Sequence, residues 1–213
     1  MTVSKTPVIA IVAALLPDMG IGFQGTLPWR LSKEMKYFKQ VTSTTVDSNK
    51  RNAVIMGRKT WESIPKRFRP LPNRLNVVIS RSFTDNLVFE QIDEEKSFYK
   101  INSIQTAVKE LNINHPDVER IYIIGGGEIY NASFDFVDYW LITKLQVLQT
   151  EEHSMIPTMD TFLNKAKLIQ GFKQEDKLAL SQFLPSGVEL PDANEDNEKG
   201  YHFEYTLYSE IKN

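Results

Sequence analysis

The stretch Ala53-Val54-Ile55-Met56-Gly57-Arg58-Lys59-Thr60 decides the fold that this sequence favours. Its four apolar residues are typical of a short strand that is buried on both faces, as in a parallel sheet. The run ends at a glycine and two basic residues, and residues 60–64 then read as a helical turn stopped by Pro65. A strand that leads directly into a helix is the repeating element of α/β folds.

The same order of elements recurs on both sides of this stretch. Short apolar runs predict further strands at residues 8–14, 75–79 and 120–124. Helical patterns are predicted over about 31–42, after a cap at Ser103, and from near Gly127. The sequence therefore predicts an α/β fold with a central, mostly parallel twisted sheet and flanking helices.

The end of the chain has a different pattern. Residues 201–208 alternate apolar and polar side chains, and residues 140–147 do so more loosely. These patterns predict an antiparallel C-terminal strand pair that closes one side of the sheet. Between them, residues 185–200 contain Pro185, Gly187, Pro191 and a polar run, which predicts a solvated, mobile loop. We expect one domain over residues 1–213.

The composition excludes several classes of function. The chain has no cysteine, which rules out disulfides, thiolate nucleophiles and cysteine–zinc sites, and its three histidines are too scattered to suggest a metal site. A net charge of −2 gives no basic field for nucleic acid or an anionic membrane. The N-terminal region lacks the features of a signal peptide, and the apolar run 8–16 is too short to span a bilayer. We expect a cytoplasmic protein.

Three of the predicted strands end in groups that suit a phosphate. The ends read Gly57-Arg58-Lys59-Thr60, Ser80-Arg81-Ser82 and Gly125-Gly126-Gly127. In open parallel sheets, ligands bind outside the carboxyl ends of the strands, where helix N-termini offer free N–H groups. Each end taken alone is also compatible with an ordinary turn, and the P-loop spacing is absent. Two basic ends beside a glycine end favour NADP over NAD, because NADP carries an extra ribose phosphate.

Glu34 is an unusual residue for its position. Leu31, Met35, Phe38 and Val41 recur at the spacing of one apolar helix face, and Glu34 points to the same side. A glutamate on a helix is ordinarily a solvated surface residue. An unpaired carboxylate on a buried face is costly, so the pattern favours a cationic or amidine-like ligand that would compensate the charge.

Together these segments resemble dihydrofolate reductase, and the fungal branch in particular. The resemblance covers most of residues 7–145 and the closing residues 205–208. The matching stretches are 11–13, 20–30 with Glu34 and Phe38, 54–65, 68–74, 77–82, 121–130 and 141–144. The resemblance implies hydride transfer from NADPH to 7,8-dihydrofolate, with protonation of pterin N5, to give 5,6,7,8-tetrahydrofolate for one-carbon metabolism and for thymidylate and purine synthesis.

The resemblance also implies roles for individual residues. Glu34 would bind the pterin amino and ring N–H groups, Thr143 would support that carboxylate, and Trp29 would hold a water beside it; these three are the expected catalytic residues. The implied substrate-binding residues are Ile11, Val12, Glu34, Met35, Phe38, Ser63, Ile64, Phe68, Leu71, Arg74, Ile124 and Tyr130. The implied cofactor-binding residues are Ala13, Ile21, Gly22, Gly25, Leu27, Gly57, Arg58, Lys59, Thr60, Ser80, Arg81, Ser82, Ile124, Gly125, Gly126, Gly127, Glu128, Ile129 and Tyr130.

Further expectations come from the same resemblance and from the residues themselves. The resemblance implies cis peptides at Arg69-Pro70 and Gly125-Gly126. The glycines of the loop over about 18–27 predict a mobile lid. The polar stretch over about 176–200 departs from short bacterial family members, and we expect it to be a surface insertion. The expected partners are dihydrofolate and antifolate inhibitors, with no metal, no membrane and no nucleic acid, and the protein is expected to be a monomer.

Two alternatives and the source of the proton stay open. Another NADPH-dependent pteridine or pyrimidine reductase of this fold would keep the nucleotide end, although Trp29, Glu34 and Arg74 argue against it. A non-catalytic binding module should show a basic face or have lost the acid. Whether Glu34 or water delivers the proton to N5 is not decided by the sequence.

Overall fold

Twelve strands and six α-helices make up the described part of the chain, which is residues 5–94, 96–148 and 156–212 of a computed structural model. The strands are β1 (Val8–Leu15), β2 (Gly20–Gly22), β3 (Arg51–Gly57), β4 (Arg74–Ile79), β5 (Val88–Gln91), β6 (Ser97–Ile101), β7 (Val118–Ile123), β8 (Tyr139–Val147), β9 (Thr161–Phe162), β10 (Phe172–Gln174), β11 (Glu195–Glu198) and β12 (Tyr201–Glu210). The helices are α1 (Ser32–Ser43), α2 (Arg58–Ser63), α3 (Ile104–Asn114), α4 (Gly127–Ala132), α5 (Lys165–Gly171) and α6 (Lys177–Phe183).

The chain forms two compact units. One takes the residues up to Ala10 together with Thr42–Asp138, and the other takes Ile11–Val41 together with the chain from Tyr139 onward. Strand β1 therefore contributes its first three residues to the first unit and its last five to the second. The expectation of one domain over residues 1–213 stays a prediction.

The first unit is built on a mostly parallel sheet. Its strand order is β1-β7-β3-β4-β6-β5, and every neighbouring pair is parallel except β5 with β6. All six residues of β4 are buried, and so are the central residues of β3. This burial explains the short apolar runs in these strands.

Helix α3 of the first unit begins at its predicted cap. Ser103 caps α3, since its hydroxyl oxygen accepts a hydrogen bond from the Thr106 N–H at 3.1 Å. Helices α2 and α4 follow β3 and β7 directly. The predicted α/β class with flanking helices is confirmed.

The second unit carries the antiparallel strands. Strand β12 pairs with β8 from Tyr201 opposite Val147 to Ser209 opposite Tyr139, and β10 and β11 also pair antiparallel with β12. The predicted C-terminal pair is therefore confirmed. One position breaks the alternation of buried and solvated side chains: Thr206 is buried, because its hydroxyl donates to the Ile142 carbonyl at 2.7 Å.

The prediction of a solvated loop over residues 185–200 is wrong in its second half. Residues 195–198 form β11, and Lys199 and Gly200 close a two-residue hairpin with positive φ angles of 50° and 78°. Positive φ at both central residues is the geometry that suits the twist of a hairpin. The strand was missed because its four residues are all polar and show no alternation.

The apolar face predicted for α1 is wrong at Met35. The buried residues of the helix and its approach are Trp29, Leu31, Glu34, Tyr37, Val41 and Thr42, whereas Met35 is 54% exposed. Tyr37 takes the buried position because its ring packs on Tyr205 with 4.1 Å between centroids. Successive residues are about 100° apart around a helix. Because the buried face is centred on Glu34 and Tyr37, Met35 points outward.

The segment 18–27 contains a small hairpin. Strand β2 pairs with β9, and a β-bridge joins Phe23 to Thr26 across Gln24 and Gly25, which both have positive φ. The carboxylate of Asp160 accepts a hydrogen bond from the Gln24 N–H at 2.8 Å. The mobility of this segment stays a prediction. No helix in the described ranges is long and apolar enough to cross a membrane.

Candidate active site

The three predicted phosphate-binding strand ends lie side by side in the first unit. Strands β7, β3 and β4 are parallel neighbours, with Ile55 opposite Ile123 and Gly57 opposite Ile79. The carboxyl ends of the three strands therefore meet at one edge, and the Gly57 N–H donates to the Gly125 carbonyl at 2.7 Å. The sequence prediction that these three groups share one edge is confirmed.

Glycines let the backbone pack closely at this edge. A Cβ atom at Gly126 would lie 3.1 Å from Thr60 Oγ1, and one at Gly57 would lie 3.0 Å from Ile129 Cγ1. The starts of α2 and α4 are therefore held together, with their first N–H groups unpaired within the helices and available to an anion. The cis peptides at Arg69-Pro70 and Gly125-Gly126 are confirmed, and Leu16-Pro17 is a third that was not predicted.

Basic and hydroxyl side chains surround the same edge. Arg58 and Lys59 are exposed, and Arg58 donates to Glu62 at 2.9 Å. The Arg81 side chain is 92% exposed and lies 3.7 Å from the Glu128 carboxylate. The hydroxyls of Ser80 and Ser82 are 2.9 Å apart. Long exposed cations beside free N–H groups suit a ligand with more than one phosphate.

In the second unit, Glu34 lies in the first turn of α1 with only 8% of its surface exposed. Within the described part of the chain, no hydrogen bond or cation reaches its carboxyl group. Burial therefore raises the pKa of Glu34 from 4.5 to about 7. An isolated buried carboxyl is a group that a ligand with N–H donors would satisfy.

Trp29 and Thr143 share the same unit and are also buried. The Trp29 indole is 5% exposed, and its Nε1–H has no partner among the described residues. Thr143 is 1% exposed on β8. No hydrogen bond between Thr143 and Glu34 is present in the described ranges, so the predicted support of that carboxylate by Thr143 stays a prediction.

Sequence reasoning missed Tyr205 as a neighbour of this carboxyl. Tyr205 lies opposite Thr143 in the β8–β12 ladder and is 4% exposed. Burial raises the pKa of its hydroxyl, and the negative charge of Glu34 raises it further. The alternation of residues 201–208 placed Tyr205 on a buried face but gave no signal of which group it meets.

Arg74 is a buried cation at the start of β4 in the first unit. It is 9% exposed, its Nη1 donates to Thr42 Oγ1 at 2.7 Å, and its Nε donates to the Pro72 carbonyl at 3.0 Å. Burial lowers the pKa of Arg74 to about 10, so the group is charged at neutral pH. Asn76 holds the preceding turn, since its side chain bonds both the N–H and the carbonyl of Leu71. Neither Thr42 nor Asn76 was identified from the sequence.

The other residues expected at the site differ in exposure. The buried ones are Ile11, Val12, Ile21, Gly22, Ile124, Gly125 and Tyr130. The half-buried ones are Ala13, Phe38, Gly57, Thr60, Ile64, Leu71, Ser80, Gly126, Gly127 and Ile129. The exposed ones are Gly25, Leu27, Met35, Arg58, Lys59, Ser63, Phe68, Arg81, Ser82 and Glu128. Their contacts with ligands stay predictions. No cluster of His, Asp or Glu side chains that could hold a metal ion occurs in the described residues.

Comparison with known proteins supplies the family. A family model described as dihydrofolate reductase matches residues 8–181. The chain is 54% identical over 211 residues to the dihydrofolate reductase of Saccharomyces cerevisiae, with 96% of this chain and 97% of that protein covered. The chain belongs to the dihydrofolate reductase family. A second fungal family member, from Candida albicans, is 41% identical with 97% of this chain covered, so the fungal branch predicted from the sequence is confirmed.

The fold agrees with that of a solved family member. The dihydrofolate reductase of Schistosoma mansoni matches with a TM-score of 0.69 at 29% identity, covering 97% of this chain and 99% of that one. The dihydrofolate reductase family model ends at residue 181, before β11 and β12, whereas the two fungal relatives cover nearly the whole chain. The hairpin of β11 and β12 is therefore outside the matched core.

Proposed function

We propose that this chain is an NADPH-dependent oxidoreductase that reduces 7,8-dihydrofolate to 5,6,7,8-tetrahydrofolate. Glu34 carries the proposal, because a buried carboxyl that has no partner among the described residues needs a ligand that donates hydrogen bonds. The pterin ring offers a 2-amino group and a ring N–H side by side, which match the two oxygens of one carboxylate. Ile11, Val12 and Phe38 would provide apolar walls for the ring.

The protonation state of Glu34 depends on whether a ligand is bound. Without a ligand, burial raises its pKa to about 7, so the protonated form is populated at neutral pH. N–H donors of a bound pterin favour the ionised form and lower that pKa. In the ionised form Glu34 orients the ring and stabilises positive charge on it as N5 is protonated. Trp29, whose Nε1–H has no partner in the part of the chain that the structure describes, would hold a water beside Glu34.

The strand-end edge of the first unit fits a dinucleotide. Thr60, Gly126 and Gly127 would lie along the pyrophosphate, because a side chain at Gly126 would fill the space next to Thr60. Arg58, Lys59, Ser80 and Arg81 would hold the 2′-phosphate, for which exposed guanidinium groups are suited. When bound, NADPH supplies the hydride. Tyr130, in the same unit, would position the nicotinamide.

Arg74 would bind the remaining end of the substrate. The glutamate tail of dihydrofolate carries an α-carboxylate, and a guanidinium group binds a carboxylate through two parallel hydrogen bonds. The contacts of Arg74 with Thr42 and Pro72 fix the plane of the guanidinium before the ligand arrives. The same proposal includes binding of antifolate inhibitors, a single monomeric domain over residues 1–213 and a cytoplasmic location.

The first experiment is an assay of the purified protein with dihydrofolate, with NADPH and NADH in parallel. We expect turnover that strongly prefers NADPH. Binding of NADPH without turnover of dihydrofolate would shift the assignment to another reduced heterocycle. If the protein neither binds NADPH nor turns over dihydrofolate, the alternative of a non-catalytic binding module is favoured.

A pair of variants tests the 2′-phosphate site. Replacing both Arg58 and Arg81 by Ala should weaken the binding of NADPH much more than the binding of NADH, because only NADPH carries the 2′-phosphate. Arg51→Ala is the matched control: Arg51 is a half-exposed arginine at the opposite end of β3, where it pairs with Asp117. Equal losses for the two nucleotides in the double variant would mean that the 2′-phosphate binds elsewhere.

A further inference from the structure

The start of helix α1 lacks a cap from its own sequence. Leu31 occupies the N-cap position, since its carbonyl accepts the first helical hydrogen bond from the Met35 N–H at 3.0 Å. An N-cap residue normally supplies a side-chain oxygen to the free N–H groups of the first turn. Leucine has none, so the groups at the start of α1 need an acceptor from another part of the chain.

Glu198 supplies that acceptor from the end of β11. One carboxylate oxygen accepts from the Ser32 N–H at 2.9 Å, and the other accepts from the Lys33 N–H at 2.9 Å. Only 14% of the Glu198 side chain is exposed. Burial alone would raise the pKa of Glu198, but these N–H groups and the nearby Lys199 hold it below its ordinary value. A negative charge here also interacts favourably with the positive end of the helix dipole.

The hairpin makes the placement of Glu198 rigid. Glu198 pairs with Tyr201 across the two-residue turn, and Tyr201 continues into β12, the strand that carries Tyr205. The Lys199 ammonium donates to the Arg30 carbonyl at 2.9 Å, and the Lys33 ammonium donates to Asp196 at 2.6 Å. The Tyr201 ring meets Trp29 edge to face, with 6.3 Å between centroids. The segment 29–33 is therefore held from several sides by one hairpin.

We infer that Glu198 is a positioning residue for Glu34. It fixes the first turn of α1, and Glu34 is the residue immediately after the two N–H groups that Glu198 binds. The role rests on the proposed function of Glu34 in dihydrofolate binding. Glu198 itself touches neither ligand in this scheme; it acts through the backbone of Ser32 and Lys33.

The test compares Glu198→Ala, Glu198→Gln and Glu198→Asp with the wild type in steady-state assays. We expect kcat/KM for dihydrofolate to fall about tenfold in Glu198→Ala, because displacement of a catalytic group by a fraction of an ångström is costly. Glu198→Gln, which keeps one acceptor, should lose less, and Glu198→Asp, which keeps the carboxylate, should recover most of the activity. The dissociation constant of NADPH should change less than twofold throughout.

Glu189→Ala is the matched control. Glu189 lies in the same polar segment and pairs with the Lys36 side chain of the same helix at 2.9 Å, but it makes no bond to the helix backbone, and its side chain is 75% exposed. Its removal changes the charge equally and should leave kcat/KM unchanged. An equal loss in Glu189→Ala would overturn the inference, and so would a Glu198→Ala enzyme with wild-type kcat/KM.

Two further measurements separate the possible failures. If Glu198→Ala weakens NADPH binding as strongly as it slows dihydrofolate reduction, the variant is misfolded. In that case the activity of Glu198→Gln decides whether Glu198 positions Glu34. Hydrogen exchange of residues 29–37 reports the cap without any substrate, and we expect faster exchange in Glu198→Ala only. Unchanged exchange would refute the cap, whereas a wild type without turnover but with this protection would refute the proposed function instead.

Discussion

The carboxyl group of Glu34 contributes to the pH dependence of the stability of the folded protein. Burial raises its pKa from 4.5 to about 7. The unfolded chain therefore releases this proton near pH 4.5, and the folded protein releases it near pH 7. Between these values the folded protein binds more protons, so the free energy of unfolding falls as the pH rises. The loss is absent below pH 4.5 and complete above pH 7, where it amounts to about 3 kcal/mol.

The variant Glu34→Gln should remove this dependence. We expect the free energy of unfolding of the variant to exceed that of the wild type by about 3 kcal/mol at pH 8 and by little at pH 4.5. Urea unfolding at a series of pH values measures the difference. Turnover of dihydrofolate should fall by orders of magnitude in the same variant. Glu210→Gln, which alters an exposed carboxyl at the end of β12, is the control that makes the same chemical change. A stability difference independent of pH would refute the assignment.

At the scale of the element, the turn between β7 and α4 depends on Gly125. Its φ of +116° is a conformation that residues with a Cβ rarely adopt, and an added Cβ would lie 3.1 Å from the Tyr130 ring. Gly187 shares the positive φ, at +92°, but has no atom within 4 Å of the corresponding position. A comparison of alanine substitutions at the two glycines therefore separates the cost of backbone strain from the cost of crowding.

The substitutions Gly125→Ala and Gly187→Ala should differ in cost. We expect Gly187→Ala to lower the free energy of unfolding by about 1–2 kcal/mol through strain alone. Gly125→Ala should cost about 1–3 kcal/mol more, because the Tyr130 ring is buried and must move. Only Gly125→Ala should also weaken the binding of NADPH. Urea unfolding and nucleotide titration check both statements, and equal costs would show that Tyr130 accommodates the methyl group.

For the whole molecule, sequence patterns predicted the first unit better than the second. Strands β1, β3, β4 and β7 each contain a short apolar run, because each has buried residues within a parallel sheet. The glycines and basic residues at the strand ends were identified for a related reason. Each group lies between a strand and the next helix, and the carboxyl ends of parallel strands meet at one edge of the sheet. Glu34 was identified by the conflict between its charge and its helix face.

The features that were missed depend on contacts between distant parts of the chain. Tyr37 displaces Met35 from the buried face of α1 because Tyr205 lies against it, and 168 positions separate the two tyrosines. The bond from the Ser32 N–H to Glu198 joins residues that are 166 positions apart. Glu198 itself lies in a polar strand without periodicity. Local patterns report burial, but they do not report which partner causes it.

The proposed nucleotide site predicts how ligand binding changes the stability of the whole molecule. A ligand that binds only the folded state, at 100 times its dissociation constant, raises the free energy of unfolding by about 2.7 kcal/mol. NADPH should do so without dihydrofolate present, because the strand-end groups lie within one unit. NADH at the same concentration should stabilise the protein less, since it lacks the phosphate that Arg58 and Arg81 would hold. Urea unfolding with each nucleotide measures the difference, and replacement of both arginines by Ala should abolish it. Equal stabilisation of the wild type by NADH and NADPH would argue against the 2′-phosphate site independently of any assay of turnover.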